Sequence, residues 1–364
     1  MSFKPSLDLL RSITDEHVLR ALMRSGRATR AQVAAETGIS KPTISESVRR
    51  LVEAGLLVDT GERTTGRGGV GSYYTLADDI GVAMVVAIAP TGVRGELVDA
   101  FGSVVASASA PVGRPAVESG VAEAVVRVGR DLAAGNVRTA VVSAADPVDR
   151  RTGGLVHLPD APFLVGTLDP VALLRPFVDG QVLVDNDVNW SARTEHESGC
   201  AQGIRDFVYL HLGEGLGFAV VSDGEVRRGY RGVAGEIAHV FTTGPDGTAM
   251  PLTEVFAVLG LHRPGTAAID VDALRATGPD IQNVIVRAVA GALTAAVSIV
   301  DPEIAVIGGE WGPGLAPDID AAMARTPRPV TVTSAQVTDP AMTGARSHAI
   351  ERLRSAIVTA RTDP

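Results

Sequence analysis

Residues 29–55 read TRAQVAAETGISKPTISESVRRLVEAG and contain the signals for two short helices joined by a tight turn. Thr29 and Ser40 each stand just before a helical run, where a hydroxyl side chain caps the helix N-terminus. Gly38 between the two runs supplies the left-handed backbone that a tight turn needs. Since an amphipathic pattern over residues 15–23 precedes this stretch, the sequence predicts a three-helix, helix-turn-helix unit.

The third predicted helix has a buried and an exposed face. Pro42 fits its first turn, where a missing N–H costs nothing. The buried stripe is predicted to contain Ile44, Val48, Leu51 and Val52. The opposite face carries short hydroxyls and cations, which are the side chains that reach base edges and phosphates in a major groove. We therefore expect DNA contacts from Lys41, Thr43, Ser45, Arg49 and Arg50.

A basic, glycine-rich segment follows. Residues 63–72 read RTTGRGGVGS and precede YYTL at 73–76, which predicts two short strands around a hairpin tip, a wing. Arg63 and Arg67 are expected to contact DNA, because the glycines beside Arg67 do not obstruct approach to the backbone or a minor groove. Two alternatives stay open: a solvated interdomain loop for this segment, and a protein interaction module for the three helices.

The charge distribution favours a nucleic-acid partner for the N-terminal part only. The whole chain has a net charge of −9, but residues 1–77 hold 11 lysines and arginines against 8 acidic residues, a net of +3. The rest of the chain therefore carries −12. Charge is interpreted per domain, and this asymmetry is typical of a small module that faces phosphate on an acidic body.

Length and composition suggest a soluble globular protein of more than one domain. The 364 residues, 45% of them hydrophobic, are predicted to divide into a DNA-binding domain over 1–77 and a second domain over 78–364. We find no apolar run of about 18 residues and no signal core over residues 1–11, so we expect a cytoplasmic protein without a membrane contact. The single cysteine, Cys200, excludes an intrachain disulfide and any zinc site built on two thiolates.

The body repeats one order of predicted elements, three strands, a helix and a strand. The first copy has strands at 82–89, 94–99, 104–110 and 139–143 with a helix near 117–134. The second has strands at 206–212, 217–222, 225–227 and 304–307 with a helix over 284–300. This pattern predicts an α/β body of two related lobes, with a ligand cleft between them.

Four short motifs in the body give it a family resemblance. They are Asp185-Asn-Asp187-Val-Asn189, Gly213-Glu-Gly-Leu-Gly217, Gly235-Glu236-Ile-Ala-His239 and Ile307-Gly308-Gly309. In this order and spacing they resemble the ROK family (repressors, open reading frames and sugar kinases). The preceding winged helix resembles that family's regulator branch. The resemblance implies a two-lobed, actin-like sugar-kinase fold behind a winged helix-turn-helix domain, in a homodimer or a dimer of dimers.

The same resemblance implies a lost kinase activity. It places the general base of the family's kinases on Asp187, a residue type suited to deprotonating a hydroxyl. However, the family's first phosphate loop, Asp-x-Gly-Gly-Thr, is replaced by residues 87–91, Ala-Ile-Ala-Pro-Thr. Glu214 stands where the second phosphate loop has Thr, and its charge would repel ATP. The family's cysteine-rich zinc motif is absent after His239, so we expect no metal, no cofactor and no catalytic residue.

A sugar site is implied at side chains that hydrogen-bond to hydroxyls. The implied ligand-binding residues are Asn186, Asp187, Glu236, His239 and Glu254, although His239 is also consistent with a structural role. Asp146 replaces a family glycine beside the sugar, which favours an altered or amino-substituted ligand, or no ligand. We therefore expect a transcriptional repressor that binds double-stranded operator DNA and responds to a sugar or sugar derivative. The alternatives are a body that serves only for dimerisation or a protein partner, and an active ATP-dependent sugar kinase.

Overall fold

The computed structural model describes residues 7–64, 70–133, 135–158 and 162–359. Its N-terminal part is a three-helix unit with a small antiparallel sheet of order β1-β3-β2. The elements are α1 (Leu7–Ser25), β1 (Ala28–Thr29), α2 (Arg30–Thr37), α3 (Lys41–Glu53), β2 (Leu57–Arg63) and β3 (Ser72–Leu76). The predicted winged helix-turn-helix arrangement is confirmed. Arg67, at the predicted tip, lies outside the described residues.

Local capping explains where these helices begin. The Thr29 hydroxyl accepts a hydrogen bond from the Gln32 amide, and the Gln32 side chain accepts one from the Thr29 amide, a reciprocal capping box. The Ser40 hydroxyl accepts from the Thr43 amide at 3.4 Å, and Gly38 between the helices has φ +71°. One prediction for α3 was wrong: Val52 is 38% exposed, because Ser47 takes the buried position that faces α1.

The N-terminal lobe is built on a five-stranded sheet of order β10-β8-β4-β5-β6. Its elements are β4 (Val82–Ala89), β5 (Gly92–Val98), β6 (Val104–Ala110), β7 (Ala116–Val117), α4 (Glu118–Leu132), β8 (Val137–Ala144), β9 (Leu164–Val165), α5 (Pro170–Leu174), β10 (Gln181–Asn186) and α6 (Asp187–Ser198). The central strand β4 is almost wholly apolar because both faces of this sheet are covered.

The C-terminal lobe repeats this topology, with a sheet of order β13-β12-β11-β16-β17. Its elements are β11 (Phe207–Leu212), β12 (Leu216–Ser222), β13 (Glu225–Val226), β14 (Phe241–Thr243), β15 (Ala249–Pro251), α7 (Leu252–Val258), α8 (Val271–Arg275), α9 (Pro279–Val300), β16 (Ile304–Gly308), α10 (Gly312–Met323), β17 (Thr331–Ser334) and α11 (Pro340–Thr359). In the N-terminal lobe β4 pairs antiparallel with β5 and parallel with β8. In the C-terminal lobe β11 pairs in the same way with β12 and β16. The predicted pair of related lobes is confirmed.

Among the described helices, α9 alone is long and apolar enough to cross a membrane by length and composition. The core helix of a folded lobe satisfies the same criterion. Its buried residues, including Ile285, Val289 and Leu293, lie in the core beneath the sheet of the C-terminal lobe. The apolar face of α9 is therefore explained by packing within this lobe.

The last helix, α11, returns from the C-terminal lobe to the first sheet and packs on α6. Its side chains Leu353 and Ile357 are fully buried in one hydrophobic core with Val18 and Leu22 of α1. The helix-turn-helix unit therefore shares a continuous core with the N-terminal lobe, and α11 lies between them.

Candidate functional site

The exposed face of α3 is the first candidate site. Lys41 and Thr43 are exposed at its N-terminus, and Ser45 is half-buried one turn further on. The Thr43 hydroxyl lies 2.7 Å from that of Ser40, so it shares a hydrogen bond with the helix cap. These short side chains surround a helix N-terminus whose free N–H groups favour a negatively charged ligand.

Arg49 is exposed but already paired on the same helix. Its guanidinium donates to Glu46 at 2.6 Å and to Glu53 at 2.5 Å. Exposed pairs of this kind contribute little to stability. The guanidinium can therefore exchange its carboxylate partners for a phosphate or a base edge.

Arg50 has a different environment from the one that the sequence suggested. Its guanidinium donates at 2.8 Å to Asp15 of α1, whose side chain is only 2% exposed. The buried Ser47 hydroxyl donates to the same carboxylate oxygen. Because Arg50 neutralises a buried carboxylate, it holds α3 against α1, and its own side chain is only 20% exposed.

The wing places Arg63 at the end of β2, where it is exposed and donates to Asp59 at 2.9 Å. Two further arginines lie against wing tyrosines and were not identified from the sequence. Arg27 lies 5.2 Å from the Tyr73 ring centroid, and Arg30 lies 5.0 Å from that of Tyr74. These cation–π contacts fix the wing to the first two helices.

A cleft of about 560 Å³ between the two lobes is the second candidate site. Residues 89–91, at the β4–β5 turn, line it from the N-terminal lobe, and the β11–β12 turn at Glu214 and Gly215 lines it from the other lobe. Three predicted ligand residues, Asn186, Asp187 and Glu236, also line this cleft. The sequence prediction and the tertiary structure therefore point to the same cavity.

Asn186 and Asp187 mark the junction between β10 and α6. The side-chain Oδ1 of Asn186 accepts a hydrogen bond from the Val188 amide at 3.0 Å. Its side-chain nitrogen donates to the main-chain oxygens of Ala144 and Asp146. Asn186 therefore acts first as a helix cap. Asp187, in the first turn of α6, presents its carboxylate to the cleft, where burial raises its pKa although the charge of His211 lowers it.

Of the other predicted ligand residues, Glu236 lines the cleft, whereas His239 and Glu254 do not. Glu236 reaches the cleft from a turn that begins at Gly235, whose φ of +99° and contact with the Phe218 carbonyl leave no room for a side chain. His239 is exposed and lines a small adjoining cavity. Glu254 lies on the exposed side of α7, and Thr253 faces that adjoining cavity in its place. The structure thus does not bring Glu254 to the cleft.

His211 and Glu310 are cleft residues that the sequence reasoning missed. Their side chains approach to 3.6 Å. Burial lowers the pKa of His211, but the nearby Glu310 carboxylate and the charge of Asp187 raise it further than burial lowers it. His211 lies near the end of β11, Glu310 follows β16, and these strands pair in parallel at the centre of the sheet. Ligands bind at the carboxyl ends of such strands, so this position could have identified both residues from the sequence.

A salt bridge closes one end of the cleft between the lobes. Arg114, after β6, donates to both carboxylate oxygens of Glu214 at 3.0 and 2.9 Å. Its guanidinium also lies 3.5 Å from the Pro90 carbonyl oxygen, in the β4–β5 turn. Arg263 adds a third hydrogen bond to Glu214 at 3.3 Å. Arg114 therefore lies between the two turns that correspond to the phosphate loops of the resemblance.

A second interlobe contact joins the same motif region to the C-terminal lobe. Arg228 donates two hydrogen bonds to the buried Asp185 carboxylate, at 2.8 and 2.5 Å. The Asn189 side chain donates to the other oxygen of Asp185 at 2.8 Å. Asp185 thus accepts hydrogen bonds from both Arg228 and Asn189, and the motif residues that follow it, 186–189, line the cleft.

The segment after His239 forms the β14–β15 hairpin, held by main-chain hydrogen bonds. Within the described ranges no group of three or more His, Cys, Asp or Glu side chains is placed to hold a metal ion. The zinc centre implied by the resemblance is built on cysteines, and the hairpin contains none. Its residues therefore do not fit that centre.

Asp146 is the most unusual side chain in the cleft. The residue is 3% exposed, and within the described residues its Oδ2 has no hydrogen-bond partner. Burial raises its pKa to about 7, and the charges of Asp187 and Glu236 act in the same direction. The cleft therefore combines three carboxyl groups near one point.

Comparison with known proteins identifies both parts of the chain. Residues 84–250 match the family model of the ROK family, and residues 11–58 match that of the winged helix-turn-helix DNA-binding domains. The chain carries a ROK family domain behind a winged helix-turn-helix domain. The residues matched to the ROK family lie within the two-lobed body with the interlobe cleft, and the actin-like sugar-kinase fold is as predicted.

Curated relatives match part of the ROK domain. The bifunctional enzyme NanE/NanK of Brucella melitensis is 36% identical over 140 residues, which cover 36% of this chain and 27% of that protein. The glucokinase of Streptomyces coelicolor is 28% identical over 169 residues, covering 46% of this chain and 52% of that protein. The chain therefore spans about a quarter to a half of the length of these relatives.

Solved structures extend the similarity in fold over nearly the whole chain. A ROK family transcriptional regulator, a homolog of the E. coli MLC protein, superposes with a TM-score of 0.65 at 17% identity, covering 96% of this chain and 98% of that one. A ROK family glucokinase from Streptomyces griseus, in complex with glucose and AMPPNP, has a TM-score of 0.56 at 22% identity, covering 74% and 99%. At these identities the likeness concerns the fold.

Proposed function

We propose that this chain is a transcriptional regulator of the ROK family that binds double-stranded operator DNA and responds to a sugar or sugar derivative without phosphorylating it. The single observation that carries the proposal is the core shared by α1 and α11. This core joins the helix-turn-helix unit to the lobe that carries part of the cleft, which supports a coupling between ligand and DNA.

DNA binding is supported by the exposed face of α3. Lys41, Thr43, Ser45 and Arg49 lie at or beside its solvent face, in the position from which a recognition helix enters a major groove. Arg63 extends the cationic surface to the wing. In this proposal Arg50 contributes chiefly by holding α3 on Asp15.

A route from the cleft to the DNA-binding domain follows from helix packing. Asp187 stands in the first turn of α6, and Gly344 of α11 crosses α6 at Trp190 and Thr194. The far end of α11 contacts α1. A ligand that binds one arrangement of the lobes more tightly than another shifts their populations, and α6 and α11 transmit the difference.

Two features support a regulator without kinase activity. The β4–β5 turn lacks the acidic group and glycines that phosphoryl transfer uses near Mg²⁺, since it reads Ala87-Ile-Ala-Pro-Thr91. Glu214 and Arg114 occupy the region between this turn and the second one. Nucleotide phosphates would have to displace this pair and then meet a negative charge.

We further propose a homodimer or a dimer of dimers, because operator half-sites reflect protein symmetry. The domain division is proposed at residues 77 and 78, just after β3. A cytoplasmic location, with DNA and a small molecule as partners and no membrane contact, follows from the proposed function.

A second candidate is a regulator whose ROK domain binds no small molecule and serves for dimerisation or a protein partner. One observation favours it: Asp146 places a buried carboxyl group against Asp187 and Glu236, which penalises a pocket that must hold a neutral sugar.

The experiment uses the full chain. Genome-wide mapping of bound DNA yields operator fragments, whose affinity is then measured by fluorescence anisotropy with and without a panel of sugars and sugar phosphates. We expect specific DNA binding that at least one sugar changes, and no ADP formed from ATP with any sugar. A chain that ignores DNA at low ionic strength, or that turns over ATP with a sugar acceptor, contradicts the proposal.

Asp187→Ala and Glu225→Gln form a matched pair for this experiment, because each removes one negative charge and only Asp187 lines the cleft. We expect Asp187→Ala to abolish the sugar response and to leave operator affinity without sugar unchanged. Glu225→Gln, on the exposed surface of β13, should retain both. A response preserved in Asp187→Ala places the sensing site elsewhere.

A further inference from the structure

Asp146 presents an unsatisfied carboxylate oxygen to the interlobe cleft. The side chain lines the cavity, the residue is 97% buried, and Oδ2 has no hydrogen-bond partner within the described part of the chain. A hydrogen bond from the Leu164 main chain acts on this carboxyl group, but a buried oxygen left without a donor is costly when the group is ionised, so Oδ2 indicates a missing donor. A ligand that enters the cleft can supply this donor, because Asp146 lines the cavity.

The charges around Asp146 indicate which kind of donor group fits beside it. Asp187 of α6 and Glu236 of the C-terminal lobe are the charged groups that act on it, and both are acidic. The basic side chains that reach this region are already paired. Arg94 contacts Asp339 at 2.9 Å, Arg114 contacts Glu214 at 2.9 Å, and His211 lies 3.6 Å from Glu310. Among the described residues, two carboxyl groups and no cation thus act on Asp146.

We propose that the cleft of this ROK domain takes a polyol that carries a protonated amine, and that Asp146 binds the ammonium group. This inference rests on the proposed function. An ammonium group offers three donors and a positive charge, which satisfies Oδ2 and reduces the repulsion among Asp146, Asp187 and Glu236. A hydroxyl supplies a single donor and leaves the repulsion in place. The hydroxyls of the same molecule face Asp187 and Glu236.

The inference also predicts a proton signature. Because burial and neighbouring carboxylates raise the pKa of Asp146 to about 7, part of the protein holds a proton on this group near neutral pH. A bound ammonium favours the ionised carboxylate, so ammonium binding releases that proton. A neutral sugar has no such effect, since it leaves the carboxyl group protonated.

The test is isothermal titration calorimetry on the full chain with three matched pairs: glucosamine and glucose, galactosamine and galactose, mannosamine and mannose. At pH 6.5, where the amines are charged, we expect the amine of at least one pair to bind at least 10-fold more tightly than its neutral partner. Its binding enthalpy should depend on the ionisation enthalpy of the buffer, which reports the released proton. The same amine should change operator affinity.

Two variants separate the charge of Asp146 from the general charge of the protein. Asp146→Asn keeps the shape of the side chain, and we expect it to bind the amine and its neutral partner within about 2-fold of each other, without proton release. Glu225→Gln removes one negative charge far from the cleft and should keep the full preference. A preference retained in Asp146→Asn overturns the assignment to Asp146.

The outcomes distinguish this inference from the proposed function. Equal or tighter binding of a neutral sugar, together with a change in operator affinity, overturns the amine assignment and leaves the proposed function standing. Operator binding with no response to any of the six sugars overturns the amine assignment and the sensing part of the proposed function together. Failure to bind DNA overturns the proposed function independently of the calorimetry.

Discussion

Arg114 of the N-terminal lobe donates a hydrogen bond to each carboxylate oxygen of Glu214 in the C-terminal lobe, at 3.0 and 2.9 Å. This two-point contact lies at the end of the cleft where the β4–β5 and β11–β12 turns approach each other. Glu214 is only 16% exposed, whereas Arg114 is 47% exposed. The pair therefore joins the lobes between the two turns that correspond to the phosphate loops of the resemblance.

A double-mutant cycle on Arg114→Ala and Glu214→Gln measures this tie. Because Arg114 is half exposed and water screens its charge, we expect a coupling energy of about 1 kcal/mol at low salt, decreasing as salt is added. Urea unfolding of the wild type, both single variants and the double variant gives the value. A coupling indistinguishable from zero at low salt would show that the contact does not hold the lobes.

Arg49 and Arg50 are adjacent on α3 and should respond differently to substitution. Arg50→Met removes the cation that neutralises the buried Asp15 carboxylate, so we expect the DNA-binding domain to lose about 3 kcal/mol of stability. Arg49→Ala removes an exposed cation and should leave the melting temperature unchanged while weakening operator binding about 10-fold. Thermal unfolding and fluorescence anisotropy separate the two effects. Unchanged operator affinity in Arg49→Ala would remove α3 as the recognition helix.

The raised pKa of Asp146 predicts a pH-dependent stability. The folded state keeps a proton on this group up to about pH 7, whereas the unfolded chain loses it near its ordinary value of 3.8. Stability from this group is therefore greatest below about pH 4 and decreases as pH rises to about 7. Relative to the wild type, Asp146→Asn should gain about 2 kcal/mol between pH 5 and pH 8. Urea unfolding of both proteins at pH 5 and pH 8 measures this difference. Equal changes in unfolding free energy between the two pH values would contradict it.

Gly344 marks the crossing of α11 over α6. A Cβ atom there would lie 2.6 Å from the Trp190 carbonyl oxygen and 2.5 Å from the Thr194 hydroxyl. We expect Gly344→Ala to destabilise the protein by about 1–2 kcal/mol, despite the better helix propensity of alanine, and to weaken the sugar response. Gly314→Ala in α10 is the control, because open space surrounds that position. Equal effects of the two substitutions would mean that the helix crossing is not tight.

Local signals explain how far the sequence prediction reached. Thr29, Gly38 and Ser40 act within a few residues along the chain, so the helix boundaries at 30–37 and 41–53 followed from them. The succession of strands and helix along the chain in each lobe followed from apolar runs of the right length. The burial predicted for Val52 was wrong and Glu254 does not line the cleft, because helical periodicity gives a face but not the partner that packs on it.

The sequence by itself determined the two kinds of domain, since caps, turn glycines and apolar periodicity are short-range properties that the chain carries in order. Only the tertiary structure decided which polar groups meet across the lobes. Arg114 and Glu214 are 100 residues apart, and Asp146 acquires its unusual environment from Asp187 and Glu236, which lie on other elements. Burial and charge–charge interactions depend on distance in space, which no local pattern encodes.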